Sequence, residues 1–135
     1  AEAAKKYQLL SIGYDPANAM RLVQMMQADG LPCNVVRQGT LTLNGPMKDI
    51  RERLLDGAVV MNRNPVSRWY LHNVKIRQGI ADRDKENWMP CKASRYAKID
   101  GFAALLCAHT EYLRMRPEGS DNGEPRVTVY SLTGG

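Results

Sequence analysis

Asp15 and Asp100 are the residues best placed by their neighbours to do chemistry. Asp15 closes the run Tyr7-Gln8-Leu9-Leu10-Ser11-Ile12-Gly13-Tyr14, and Asp100 stands in Lys98-Ile99-Asp100-Gly101 at the head of a long apolar-periodic segment. A carboxylate at the C-terminal end of a strand and another in the first turn of a helix can face one crevice, where open α/β sheets put their ligands. Hard carboxylate oxygens in a chain of formal net charge +5 point to a divalent cation and a phosphate backbone. Each aspartate also has a purely structural use. Asp is a common helix N-cap, and an acid in a first helical turn suits the macrodipole. Gly101 costs helix stability relative to Ala, which points to open space wanted beside the Asp100 carboxylate.

Basic residues form the second constellation. Lys and Arg number 19 against 14 Asp and Glu, and most cations fall between the two aspartates. Lys92, Arg95 and Lys98 lead directly into Asp100, where they are positioned to hold phosphates. Other chemistries find less support. The G-x-x-x-x-G-K-[ST] signature of an ATP-binding loop is absent. Ser11, Ser67 and Ser94 lack a paired His and Asp, which argues against a serine hydrolase. Cys33, Cys91 and Cys107 form no C-x-x-C pair, so neither a zinc site nor a disulfide framework is indicated, and a reducing setting is the simplest reading. His72 sits beside Trp69 and Tyr70 and reads as packing or surface. His109 lies roughly two and a half helical turns beyond Asp100, too far to share its metal. Trp69, Trp88 and Tyr96 suit base stacking, but core and hairpin packing are commoner uses. No apolar run approaches the ~18 residues of a membrane span, and no signal peptide precedes the first strand.

These residues must be positioned by an α/β chain. At 135 residues it is long enough for one domain with a real core. Residues 7–14 predict a strand, and Pro16 opens a helix whose apolar positions Ala19, Met20, Leu22, Val23 and Met26 recur at helical spacing. Asp29-Gly30 ends it, and Cys33 to Arg37 forms a second strand, parallel to the first. Gln38 to Asn44 reads as a loop, with a second helix from Gly45-Pro46 to Leu55. Ala58 to Met61 is a strand or a step between helices. Asn64-Pro65 opens a third helix. Val74 to Gln78 and Trp88 to Ala93 make a hairpin around a charged tip holding Asp82, Asp84 and Glu86. The last helix runs from about Ala97 to Met115, with Ile99, Phe102, Ala103, Leu106, Thr110 and Leu113 as its buried stripe. Residues 1–116 form the domain. Residues 117–135 are a tail whose Gly, Ser, Asp, Asn and Pro favour mobility, with Arg126 to Leu132 as a short edge strand or ordered end.

The order Gly13-Tyr14-Asp15-Pro16, Arg37-Gln38-Gly39, Gly45-Pro46-Met47-Lys48, Asn62-Arg63-Asn64-Pro65-Val66, Trp69, Asn73-Val74, Asn87, Pro90, Lys92 and Lys98-Ile99-Asp100-Gly101 resembles the C-terminal nuclease domain of the large terminase subunit of tailed bacteriophages. Each motif is short, and their joint order over residues 7–115 gives the resemblance its specificity. It implies an RNase H-like nuclease fold, a mixed sheet flanked by helices. It also implies an endonuclease that cuts concatemeric viral DNA with a two-metal Mg²⁺ or Mn²⁺ site. Asp15 and Asp100 match two of its metal-binding acids, and Lys92 matches a basic position upstream of the second. The family's first acid lies on a strand preceding anything seen here, so the resemblance implies an N-terminally truncated domain without its initial strands, with an incomplete metal cluster and weak or no cleavage by this chain alone. Double-stranded DNA, the terminase small subunit and the portal protein would be partners, in the cytoplasm of a bacterial host. Two other readings stay open. One is a non-catalytic basic module that docks on DNA or the packaging machinery, with both aspartates as caps. The other is an RNase H-like nuclease of the resolvase or transposase type.

Overall fold

The computed structural model describes residues 2–17, 19–61, 63–79, 86–116 and 127–129. Their elements run α1 (Glu2–Lys6), β1 (Ile12–Tyr14), α2 (Met20–Ala28), β2 (Cys33–Val35), α3 (Thr40–Leu55), β3 (Val59–Met61), α4 (Pro65–Asn73), β4 (Val74–Gln78), β5 (Trp88–Lys92), α5 (Asp100–Met115) and β6 (Val127–Val129). The chain is thus a mixed α/β domain. The expected mixed sheet is not one continuous sheet among the described residues. Instead there are three two-stranded pairs: β1 with β2, β3 with β6, and β4 with β5. The first two pairs are parallel and the third is antiparallel.

The β1–α2–β2 unit has the expected order and direction, but its pieces are shorter. Strand β1 pairs only over Ile12 to Tyr14, in register with Cys33 to Val35. A strand persists only where a neighbour satisfies its backbone, and β2 offers three residues. Pro16 does not open α2. The Asp15 carboxylate accepts the Ala17 N–H at 3.0 Å, which closes a local Asx turn and delays the helix to Met20. Gly30, at φ +77°, ends α2 in the left-handed region that favours glycine.

Helix α3 is the larger correction. It begins at Thr40 rather than Pro46 and carries Pro46 in its interior. Its buried positions Leu43, Met47 and Ile50 keep helical spacing across the proline. Their burial offsets the hydrogen bond that Pro46 cannot donate. Helix α4 starts as its sequence dictates, with Asn64 Oδ1 accepting the Val66 N–H at 2.8 Å and Pro65 in the first turn. The hairpin pairs Val74 with Lys92 and Gln78 with Trp88. Its tip at 80–85, with Asp82 and Asp84, lies outside the described residues, and Glu86 is exposed. The tail expected over 117–135 also lies outside them, apart from β6.

The core is built around α5, which packs on α3, α4 and β1. Phe102, Leu105, Leu106 and Cys107 of α5 meet Leu43, Met47 and Ile50 of α3, with Val36 and Val59 beside them. Fully burying each large side chain of this kind contributes about 1.5–3 kcal/mol. The buried stripe differs from expectation. Phe102, Leu106 and Thr110 are buried and Ala103 and Leu113 only half-buried, while Leu105, Cys107, His109 and Glu111 are fully enclosed. Gly13 sets how closely β1 approaches α5. A methyl group there would stand 2.6 Å from the Cys107 carbonyl oxygen and 2.9 Å from Glu111 Cγ.

Candidate functional site

Asp100 is the first residue of α5 and is exposed. The residue before it, Ile99, provides no side-chain cap. Asp15 lies just beyond β1. One of its oxygens serves the Asx turn with Ala17. Two contacts give the direction of β1 along α5. Ser11 touches Glu111, and Gly13, two residues on, lies against Cys107 as well as Glu111. Strand β1 therefore runs toward the N-terminal half of α5, the half that begins with Asp100. Asp100 precedes Cys107 by seven residues, roughly 10 Å along the axis.

The cations sit on the approach to Asp100. Lys92 ends β5, and Arg95 and Lys98 lie in the connection to α5; all three are exposed. The Arg95 guanidinium lies 5.4 Å from the centre of the Tyr96 ring. Tyr96 is 82% exposed, whereas Trp88 packs against the core beneath Lys48 and Arg51. Of the aromatic residues considered for base stacking, Trp88 is thus engaged in packing, and Tyr96 and Trp69 remain exposed. The space beside Asp100 is not open as expected. Gly101 is covered by the Tyr70 ring, whose Cε2 would lie 2.6 Å from a methyl group placed there.

Carboxylate oxygens are the donors that Mg²⁺ and Mn²⁺ prefer, so the chemistry of Asp15 and Asp100 fits such a cation. Among the described residues no three His, Cys, Asp or Glu side chains cluster closely enough to hold a metal.

Two polar clusters were not foreseen. In the first, Glu111 is 4% exposed and accepts from Ser11 Oγ, from Asn34 Nδ2 at 2.9 Å and from Arg114. Arg114 also donates to the Val35 carbonyl at 3.0 Å. This carboxylate therefore ties α5 to both strands of the first pair. In the second cluster, His109 is 5% exposed and its Nε2 lies 2.6 Å from Asp49 Oδ2. Arg53 Nε donates to the same oxygen at 2.7 Å. The sequence signal for both is a polar residue inside an apolar stripe, which demands a partner.

These clusters make the fold acid-sensitive. Burial holds the His109 pKa below its ordinary value, outweighing the opposing pull of Asp49. The short contact is thus a neutral imidazole N–H donating to a carboxylate already balanced by Arg53. Its stabilising contribution is complete above the ordinary histidine pKa of about 6.5 and is lost as pH falls through the lower folded value. For Glu111, burial pushes the pKa up. Hydrogen bonds from Ser11, Asn34 and Arg114, with the Arg114 charge, more than reverse this and leave it lowered. That contribution is present above about pH 4.3 and is lost as pH falls through the depressed value. Thermal melts followed by circular dichroism should give a steady Tm above about pH 7, a decline below about 6.5 and a steeper one below about 4.3. A Tm that rises on acidification would contradict both assignments.

A model of the family described as terminase large subunit, endonuclease domain, matches residues 3–116. No curated protein and no solved structure matches the chain. No helix among the described residues is long and apolar enough to cross a membrane.

Proposed function

Because this chain belongs to the terminase large subunit endonuclease domain family, a family of DNA-packaging nucleases, we propose that it is a metal-dependent endonuclease of RNase H-like fold that cuts concatemeric phage DNA. The observation that carries this reading is the family match over residues 3–116, which includes both Asp15 and Asp100. The direction of β1 along α5 supports it, since it aims Asp15 toward the half of α5 that Asp100 begins.

Asp15 and Asp100 would hold Mg²⁺ or Mn²⁺ in a two-metal site completed by a further acid. A bound divalent cation supplies an activated water and stabilises the leaving oxygen of the phosphodiester. The chain's own contribution is to bind and orient. Lys92, Arg95 and Lys98 meet the phosphates of double-stranded DNA and fix the backbone beside the carboxylates. Contacts to phosphate carry no base information, so cutting has little sequence preference. The terminase small subunit and the portal protein are the proposed partners, in the cytoplasm of a bacterial host.

One observation favours a second reading, a non-catalytic basic module. Asp15 does serve as a cap for its turn. The two readings separate in a supercoiled-plasmid assay with Mn²⁺, Mg²⁺ or EDTA, run beside Asp100→Asn. Metal-dependent nicking lost in the variant supports the nuclease, because the fold loses only one favourable charge at the start of α5. Nicking that survives the substitution removes Asp100 from the site. The DNA contacts have their own test in binding measured against salt. Each of Lys92→Ala, Arg95→Ala and Lys98→Ala should lower the slope of log K against log salt by about 0.9. An unchanged slope in all three would place the DNA elsewhere.

A further inference from the structure

The segment on either side of Asp100 lies against a neighbouring helix. Tyr70 and Asn73 of α4 meet the connection from β5 to α5 and the first turn of α5. The Asn73 carbonyl accepts the Ala93 N–H at 2.7 Å, where the connection begins. The Asn73 side chain donates through Nδ2 to the Lys98 carbonyl at 2.9 Å, two residues before Asp100. The Tyr70 ring covers the Cα of Gly101, one residue after it. Tyr70 and Asn73 are three apart and so share one face of α4. The aspartate is therefore bracketed on both sides by one helical face.

The choice of residue at 101 supports this. Gly101 does not adopt a left-handed conformation, and glycine costs a helix about 1 kcal/mol relative to alanine. What glycine supplies is room for the ring. Ile99 gives α5 no side-chain cap, so the first turn is not fixed by the usual local device.

We propose that Tyr70 and Asn73 are positioning residues that set where the Asp100 carboxylate stands. This rests on the proposal that Asp100 binds metal in the nuclease site. Tyr70 acts by the bulk of its ring and Asn73 by its amide N–H donor. A displacement of about 1 Å at a reacting centre can lower a rate by about 100-fold.

The test compares Gly101→Ala, Tyr70→Phe, Asn73→Asp and Asp100→Asn in this protein. All are assayed at a temperature where circular dichroism shows every variant folded. Three quantities are read: kcat for plasmid cleavage, KM for DNA, and Mn²⁺ affinity by calorimetry without DNA. Tyr70→Phe, which keeps the ring, should match the parent. Gly101→Ala pushes the ring away, and Asn73→Asp removes the donor while keeping the shape. Both should lose about 10- to 100-fold in kcat and bind Mn²⁺ more weakly, with KM unchanged. Adding Tyr70→Ala to Gly101→Ala removes the overlap and should recover part of the Mn²⁺ affinity. If Gly101→Ala and Asn73→Asp cut and bind Mn²⁺ within about twofold of the parent while Asp100→Asn is inactive, the positioning role is overturned and the nuclease reading stands. If Asp100→Asn itself cuts like the parent, it is the nuclease reading that fails.

Discussion

Asp100→Asn should abolish metal-dependent cleavage and leave the fold intact. The carboxylate is exposed at the first position of α5, so an amide of the same shape meets no new neighbour. The structural cost is the loss of one favourable charge near a helix N-terminus, about 0.3–1 kcal/mol. The functional cost is much larger. A neutral amide is a poor ligand for Mg²⁺ or Mn²⁺ compared with a carboxylate. We expect cleavage to fall by about 1,000-fold or more, which corresponds to about 4 kcal/mol of transition-state stabilisation. Asp15→Asn should behave alike, because Asn can accept the Ala17 N–H as Asp15 does. Plasmid nicking rates set beside melting curves decide the matter. Inactive variants that melt like the parent place both residues in the site. Active ones leave Asp15 as the cap of its turn and Asp100 as a favourable charge at the start of α5.

The largest effect on stability is expected at Glu111. In Glu111→Leu, the Ser11, Asn34 and Arg114 donors all lose their common acceptor, while volume is roughly kept. Removing one partner of a buried ion pair costs about 3–5 kcal/mol. The lower end applies here because the Arg114 side chain is 46% exposed and can turn to water. Asn34 also keeps its 2.9 Å bond to Ser11 Oγ. About 3 kcal/mol corresponds to a fall in Tm of about 10 °C. Urea unfolding should show a lower midpoint with an unchanged slope. A loss below about 1 kcal/mol would mean that β1 is held to α5 by packing at Gly13 alone. The effect reaches the site as well, since the same strand carries Asp15 at its end.

What could be read from the sequence was what local chemistry decides. Asn64-Pro65 announced α4, Asp29-Gly30 closed α2, and the charged segment between Val74 and Ala93 marked the hairpin. The family was legible because its residues lie in short contiguous motifs, now matched over residues 3–116. Illegible features depended on distant partners. Pro46 hid the first turns of α3, because the burial that tolerates it comes from α5 and β5. The short reach of β1 followed from the length of β2. Glu111 looked like one charged residue on a helix, and its partner Ser11 is 100 residues earlier. Gly101 was read as leaving open space beside Asp100, but a ring from α4 fills that space.

The tie between Glu111 and the first strand pair also has a consequence for how the protein is made. Asn34 and Glu111 are 77 residues apart. At about 5–20 residues per second of synthesis, roughly 4–15 s separate their emergence on a ribosome. During that interval β1 and β2 exist without the helix that stitches them, and α2 shows Met20, Leu22 and Met25 to solvent, as it still does when folded. The tie between the first strand pair and the core therefore cannot form until the last helix has been made.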